Sequence, residues 1–216
     1  MRAPRMLAVC AALAAFPLAA QAQTEFRVVG FGMPAKRSAA LDANTAGAAT
    51  TTMGGGQLSL RGSWCGVAVG AVGGSFTAQS GSAGGGGKVA VAEARIQLGP
   101  RIVALEGGYS RHVVNGLLGT TSYSYFSGGA ASLIDIGTTG LTVRLSGAVY
   151  FEGQGVTGVS VSGHEIVSLL EYQLGRTPLV VNVGYRGEIF TVTSGGVKMG
   201  DAVNGIVVGG GLKLGH

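Results

Sequence analysis

"LVVNVGYRGEIFTV", residues 179–192, is apolar enough for a buried strand, yet it carries Asn182, Arg186 and Glu188. Successive side chains of a strand point to opposite faces. Leu179, Val181, Val183, Tyr185, Gly187 and Ile189 therefore share one face, and Val180, Asn182, Gly184, Arg186, Glu188 and Phe190 the other. One face is apolar and the other largely polar. A soluble sandwich would turn the apolar face inward, whereas a membrane barrel would turn it outward to lipid. A single strand fits both, so the decision falls to the rest of the chain.

The 216 residues suffice for one domain with a sizeable core or for one closed sheet. Glycine supplies 41 of them, nearly three times its usual share of about 7%. Glycine is costly inside helices and no collagen-like period of three is present, so the excess points to β structure. Only 12% of the residues are charged, against about 25% in ordinary globular domains. That is thin cover for a soluble surface.

The N-terminus, "MRAPRMLAVCAALAAFPLAAQAQ", places Arg2 and Arg5 before an apolar stretch from Met6 to Ala20, followed by Ala20-Gln21-Ala22. This pattern predicts a signal peptide over residues 1–22 and a mature domain over 23–216. The apolar stretch is short for a membrane-spanning helix. Lipoprotein cleavage before Cys10 is disfavoured by Val9 and by the apolar run that continues past it. The mature chain then keeps one cysteine, Cys65, and forms no intramolecular disulfide in the oxidising compartment it enters. Loss of Arg2 and Arg5 lowers the formal charge from +5 to +3. The remaining basic residues are spaced singly, which argues against a nucleic-acid partner.

Beyond residue 22 the chain has no apolar run long enough for a spanning helix. It shows instead a rhythm of strand-like segments of about ten residues, the length a tilted strand needs to cross a bilayer. They fall at approximately 24–33, 54–64, 67–78, 88–98, 101–111, 122–135, 141–151, 161–174, 179–192 and 202–214. "WCGV", "LGPR", "IGTTGL" and "LGRTPL" read as tight turns. Between them lie longer polar or Gly-rich links: "PAKRSAALDANTAGAATTTM", "QSGSAGGGGK", "HVVNGLLGTT", "EGQGVTGVSV" and "TSGGVKMGD". Tight turns at one end, long loops at the other and an even strand number are the plan of an outer-membrane barrel.

The alternation recurs. Leu58, Leu60 and Trp64 oppose Gln57, Ser59 and Arg61; Leu141, Val143, Leu145 and Val149 oppose Thr142, Arg144, Ser146 and Ala148. Ala94, Ile96 and Leu98 oppose Glu93, Arg95 and Gln97, and Leu170 and Tyr172 oppose Glu171. The first, third and tenth segments are ambiguous. On the polar faces five bases, Arg61, Arg95, Arg144, Arg186 and Lys213, meet five acids, Glu93, Glu106, Glu165, Glu171 and Glu188. Inside a narrow barrel these groups pair and fill the lumen, where an unpaired charge is costly. The sequence thus reads as an all-β protein: an up-and-down antiparallel transmembrane β-barrel of about ten strands, with eight as the alternative count.

On these features the chain resembles small Gram-negative outer-membrane β-barrel proteins over the whole mature region. The resemblance is architectural and has no diagnostic motif. It implies residence in the cell outer membrane, with outer-membrane lipid and the outer-membrane assembly machinery as partners. The terminus departs from the pattern: "GLKLGH" ends on His216 where such barrels usually carry an aromatic residue. Trp64 and Tyr172 near the turns, with Tyr109, Tyr123 and Phe151 toward the loops, would form two sparse interfacial girdles.

Other motifs carry little. "GQGVTG", residues 153–158, matches G-x-G-x-x-G but leads into another strand-like segment, not a helix. "GSAGGGGK" has Ser82 in place of the first phosphate-loop glycine and Val89 where Ser or Thr should bind magnesium. His112, His164 and His216 share no metal-ligand spacing with each other or with Cys65. No cofactor and no metal are expected. His164-Glu165 could support acid–base chemistry, but the chain matches neither the Asp/His pairs of omptin-like proteases nor the His-x-Ser pattern of lipid A deacylases. The expected function is therefore non-enzymatic: a structural or surface-contact barrel with a charge-plugged lumen. The alternatives are a narrow channel for small solutes, a lipid-modifying enzyme and a soluble exported β-sandwich binding module.

Overall fold

A computed structural model of the chain describes residues 24–41, 44–78, 87–116, 119–152, 159–194 and 196–215. The expected signal peptide, the "GQGVTG" motif, most of "GSAGGGGK" and His216 lie outside them. The strands are β1 (Glu25–Leu41), β2 (Asn44–Arg61), β3 (Cys65–Ala78), β4 (Gly87–Leu98), β5 (Ala104–Gly116), β6 (Gly119–Ile136), β7 (Leu141–Glu152), β8 (Val159–Gln173), β9 (Leu179–Ser194) and β10 (Val197–Leu214). Each pairs antiparallel with its chain neighbour, and β1 pairs with β10. The sheet is a closed up-and-down barrel, which rules out the sandwich and the eight-strand count. Closure gives every strand two neighbours and leaves no open edge.

Following the register from Val28 through each strand in turn returns to β1 at Ala40, twelve residues beyond the start. That stagger over ten strands corresponds to a tilt of roughly 40°. Each of the ten predicted segments overlaps one strand, although 62–64 and 101–103 lie in turns, and the strands run from 12 to 18 residues, longer than expected. The extra length is at the loop end. The link predicted over 34–53 is mostly paired strand, with Leu41 facing Asn44, and the links at 112–121 and 193–201 are likewise largely taken up by β5, β6, β9 and β10. Their Thr, Ser, Ala and Gly content read as loop because small polar residues suit turns and also suit strands whose partners supply the contacts. At the other end Gly137 (φ 55°) and Gly140 (φ 77°) adopt the left-handed conformations that the turn from β6 to β7 requires.

The opening stretch is now placed. Val181, Val183, Tyr185 and Ile189 are 44–49% exposed on the barrel's outside, while Asn182, Arg186, Glu188 and Phe190 are 3–9% exposed inside it. The same holds around the barrel: Phe26, Leu60, Val69, Ile96, Leu105, Phe126, Leu145, Ile166, Ile206 and Leu212 all face outward. The exterior is an apolar band with contributions from every strand.

The interior has two parts. In the turn-side part the inward residues are charged. Toward the loop end they are apolar or aromatic and packed: Met33, Ala35, Met53, Val72, Phe76, Val91, Val203 and Val207 form one cluster. Tyr123, Tyr125, Tyr150, Val161, Phe190 and Val192 form a second. The ambiguity of the first, third and tenth segments has its cause here, because β1, β3 and β10 carry apolar residues on both faces.

Candidate functional site in the barrel lumen

Arg95 is the centre of the mid-lumen charges. Its guanidinium contacts Glu93 at 2.7 Å, Glu106 at 2.8 Å and Glu165 at 2.7 Å. Arg186 reaches Glu165 at 2.9 Å and Glu93 at 3.4 Å. Gln97 donates to Glu106 at 2.7 Å, and the Tyr150 hydroxyl donates to Glu165 at 3.3 Å. Register puts Glu165 directly opposite Glu188 on the next strand, an arrangement that repels. Among the described residues Glu188 has no cation within ion-pair distance; the Tyr125 hydroxyl donates to it at 3.0 Å.

A second cluster lies at the turn end, where β1 begins and β10 ends. Arg27 bridges Glu25 at 2.6 Å and Glu171 at 2.8 Å. Glu25 also meets Arg101 at 3.0 Å and Lys213 at 3.5 Å, and Arg101 meets Asp135 at 3.5 Å. Near the loop end Arg37 forms a two-point pair with Asp201 and lies over the Phe76 ring.

The ten charges singled out in the sequence thus all face the lumen, but they do not all pair as acid with base. Arg61 donates to Gln97 at 2.6 Å and to the Gly99 carbonyl at 3.0 Å. Among the described residues Arg144 has a single hydrogen bond, at 3.5 Å to Gln57. Neither has a carboxylate within ion-pair distance among the described residues. Glu25, Arg27, Arg37, Arg101 and Asp201 belong to the networks and were not singled out. The first two sit at a strand start, in an ambiguous segment, and Arg101 in a turn, where alternation gives no signal. Arg37 lies in the stretch read as loop, and Asp201 at the boundary of another.

Glycine makes the room for these side chains. A Cβ on Gly66 would lie 2.9 Å from Cδ of Arg61, and one on Gly70 would lie 3.3 Å from an oxygen of Glu93. β3 gives up side-chain volume so that its neighbours' long charged groups fit a narrow interior.

Among the aromatic residues, Trp64 and Tyr172 are exposed at the turn end. Tyr109, Phe126 and Phe151 are register neighbours on the outside of β5, β6 and β7. Tyr123, predicted for a girdle, is instead inside, 6% exposed, because odd positions of β6 face the lumen. It packs against His112 and Phe190 with ring centroids at 5.1 and 5.6 Å. His112 is buried, and neither ring nitrogen has a hydrogen-bond partner among the described residues. His164 faces outward.

No family model and no curated protein sequence matches this chain. Among solved structures it is similar to the outer-membrane protease OmpT of Escherichia coli, with a TM-score of 0.47 at 7% identity, covering 90% of this chain and 97% of that one. The translocator domain of the autotransporter NalP of Neisseria meningitidis gives 0.33 at 12% identity, covering 85% and 88%. The transport unit of the autotransporter AIDA-I of Escherichia coli gives 0.30 at 11% identity, covering 96% of each chain. All three are outer-membrane or autotransporter proteins. At these identities and TM-scores no residue role passes from them to this lumen.

The Tyr125–Glu188 contact gives a direct expectation. Tyr125→Phe removes the hydroxyl donated to Glu188 at 3.0 Å and leaves a buried carboxylate short of a donor. A loss of about 1–3 kcal/mol is expected, measurable by urea unfolding of the folded barrel in lipid vesicles. An unchanged midpoint would show that Glu188 does not depend on that donor.

Proposed function

We propose that this protein is an integral outer-membrane barrel of the structural or surface-contact kind, non-enzymatic, with a lumen closed by its own side chains. The observation that carries the reading is the division of the interior. The loop-side half is packed with apolar and aromatic residues, and the turn-side half is crossed by ion pairs between strands far apart in the sequence. The apolar exterior on every strand fits lipid as the outer solvent, since a closed barrel satisfies all its backbone groups internally. Outer-membrane lipid and the assembly machinery are then its necessary partners. The buried His112, stacked between aromatic rings and without a hydrogen-bonded orienting group, does not resemble a poised base, which favours a role without catalysis.

The charge layers support closure as well. At the turn end Arg27, Arg61, Arg101, Arg144 and Lys213 face Glu25, Asp135 and Glu171, an excess of two positive charges. In mid-lumen Arg95 and Arg186 face Glu93, Glu106, Glu165 and Glu188, an excess of two negative ones. Cations meet a barrier in the first layer and anions in the second, so neither sign finds a continuous path.

Planar-bilayer recording tests the reading. The folded wild-type protein is expected to insert without stable conductance steps above leak. Large, stable steps would replace the structural reading with that of a solute channel.

A further inference from the structure

We propose that the turn-side lumen is a binding site for a small oxyanion of the phosphate or sulfate class, held chiefly by Arg144 with Arg61 on the facing wall. The two layers leave a cavity of about 120 Å³ between them, lined by five arginines, Arg61 and Arg144 among them, and by four carboxylates, Glu25, Glu93, Glu106 and Glu165. That is room for a small oxyanion with several waters.

Most of the neighbouring carboxylates have both oxygens engaged; Glu93 takes Arg95 and Arg186 on one oxygen and makes no ion pair with Arg144. Both oxygens of Glu171 are held by Arg27, at 2.9 and 2.8 Å. Glu25 gives one oxygen to Arg27 and the other to Arg101 and Lys213. Glu106 gives one to Arg95 and the other to Gln97. Arg144 therefore keeps a full charge inside the barrel with one long hydrogen bond to a neutral amide. Its other donors have no hydrogen-bond partner among the described residues, and the side chain lines the cavity. Arg61, 5% exposed, has only neutral acceptors. An isolated cation in such a place is costly, and a guanidinium presents the paired donors that an oxyanion accepts. The charge excess of the layer has the same sign. A lipid headgroup would have to leave the bilayer to enter the lumen, so the free ion is the ligand the position favours.

Equilibrium dialysis of the detergent-folded full barrel against radiolabelled inorganic phosphate, with ionic strength held by chloride, tests the site. About one phosphate per barrel is expected. Arg144→Gln should weaken binding by about tenfold or more, while Arg111→Gln, on the barrel's outside, should leave it unchanged. Wild-type thermal stability should also rise with phosphate and not with equivalent chloride, a measurement that stands even where Arg144→Gln does not fold. Phosphate retained no better than by empty micelles, binding that survives Arg144→Gln, or a wild type stabilised no more by phosphate than by chloride would each overturn the site. The outcome is separable from closure. A conducting barrel that binds phosphate overturns the plug alone, and a closed barrel that binds none overturns the site alone.

Discussion

Arg95→Ala is expected to be the most damaging single substitution in the lumen, lowering unfolding stability by about 3–5 kcal/mol. The arginine stands between three carboxylates from β4, β5 and β8. Its removal leaves Glu106 with only the Gln97 amide and makes Arg186 the one cation shared by Glu93 and Glu165. Three like charges in a confined space then repel, and relief requires water, protonation or opening of the wall. The same substitution removes a large side chain from the mid-lumen charged layer, so intermittent conductance in planar bilayers is expected, against the silent wild type that closure would give. Equilibrium unfolding in vesicles and bilayer recording check the two effects separately. Near-wild-type stability together with silent bilayers would show that the network neither holds nor closes the barrel. Replacing Arg186 together with Arg95, Glu93, Glu106 and Glu165 by apolar residues of similar volume should cost much less, since the penalty comes from the partners left behind and Arg186 pairs only with Glu93 and Glu165 among the described residues.

The second large effect lies outside. Val183 is about half exposed in the middle of β9 and faces away from the lumen. With lipid on that face, Val183→Arg should destabilise the barrel by about 2–4 kcal/mol in vesicles, the cost of a guanidinium near the bilayer midplane. The loss should be smaller in a detergent micelle, where the charge can reach water. Asn182→Arg, one residue away, tests the opposite face. It adds a cation to an interior position near the positive layer and should destabilise in vesicles and micelles alike. Equal losses for Val183→Arg in both media would remove lipid as that residue's surroundings.

Alternation along β2, β4, β7, β8 and β9 was enough to read the faces of those strands and the inward position of the eight charged groups they carry, because a strand's side-chain period of two is a local property. The scarcity of charge and abundance of glycine pointed to a barrel for the same kind of reason: each restricts what surface the chain can show to water. Which acid meets which base was not legible. Arg27 and Glu171 are 144 residues apart, and their meeting depends on barrel closure and on the twelve-residue stagger, quantities that no single strand encodes. Only the closed structure left Arg144 and Arg61 without carboxylates. Only it turned Tyr123 and His112 inward, and showed that apolar residues on both faces of β1, β3 and β10 serve two solvents, the packed interior and the outer surroundings. A local pattern fixes which side chains share a face. What each face meets is set by the partners that closure brings across the lumen, and those come from distant parts of the chain.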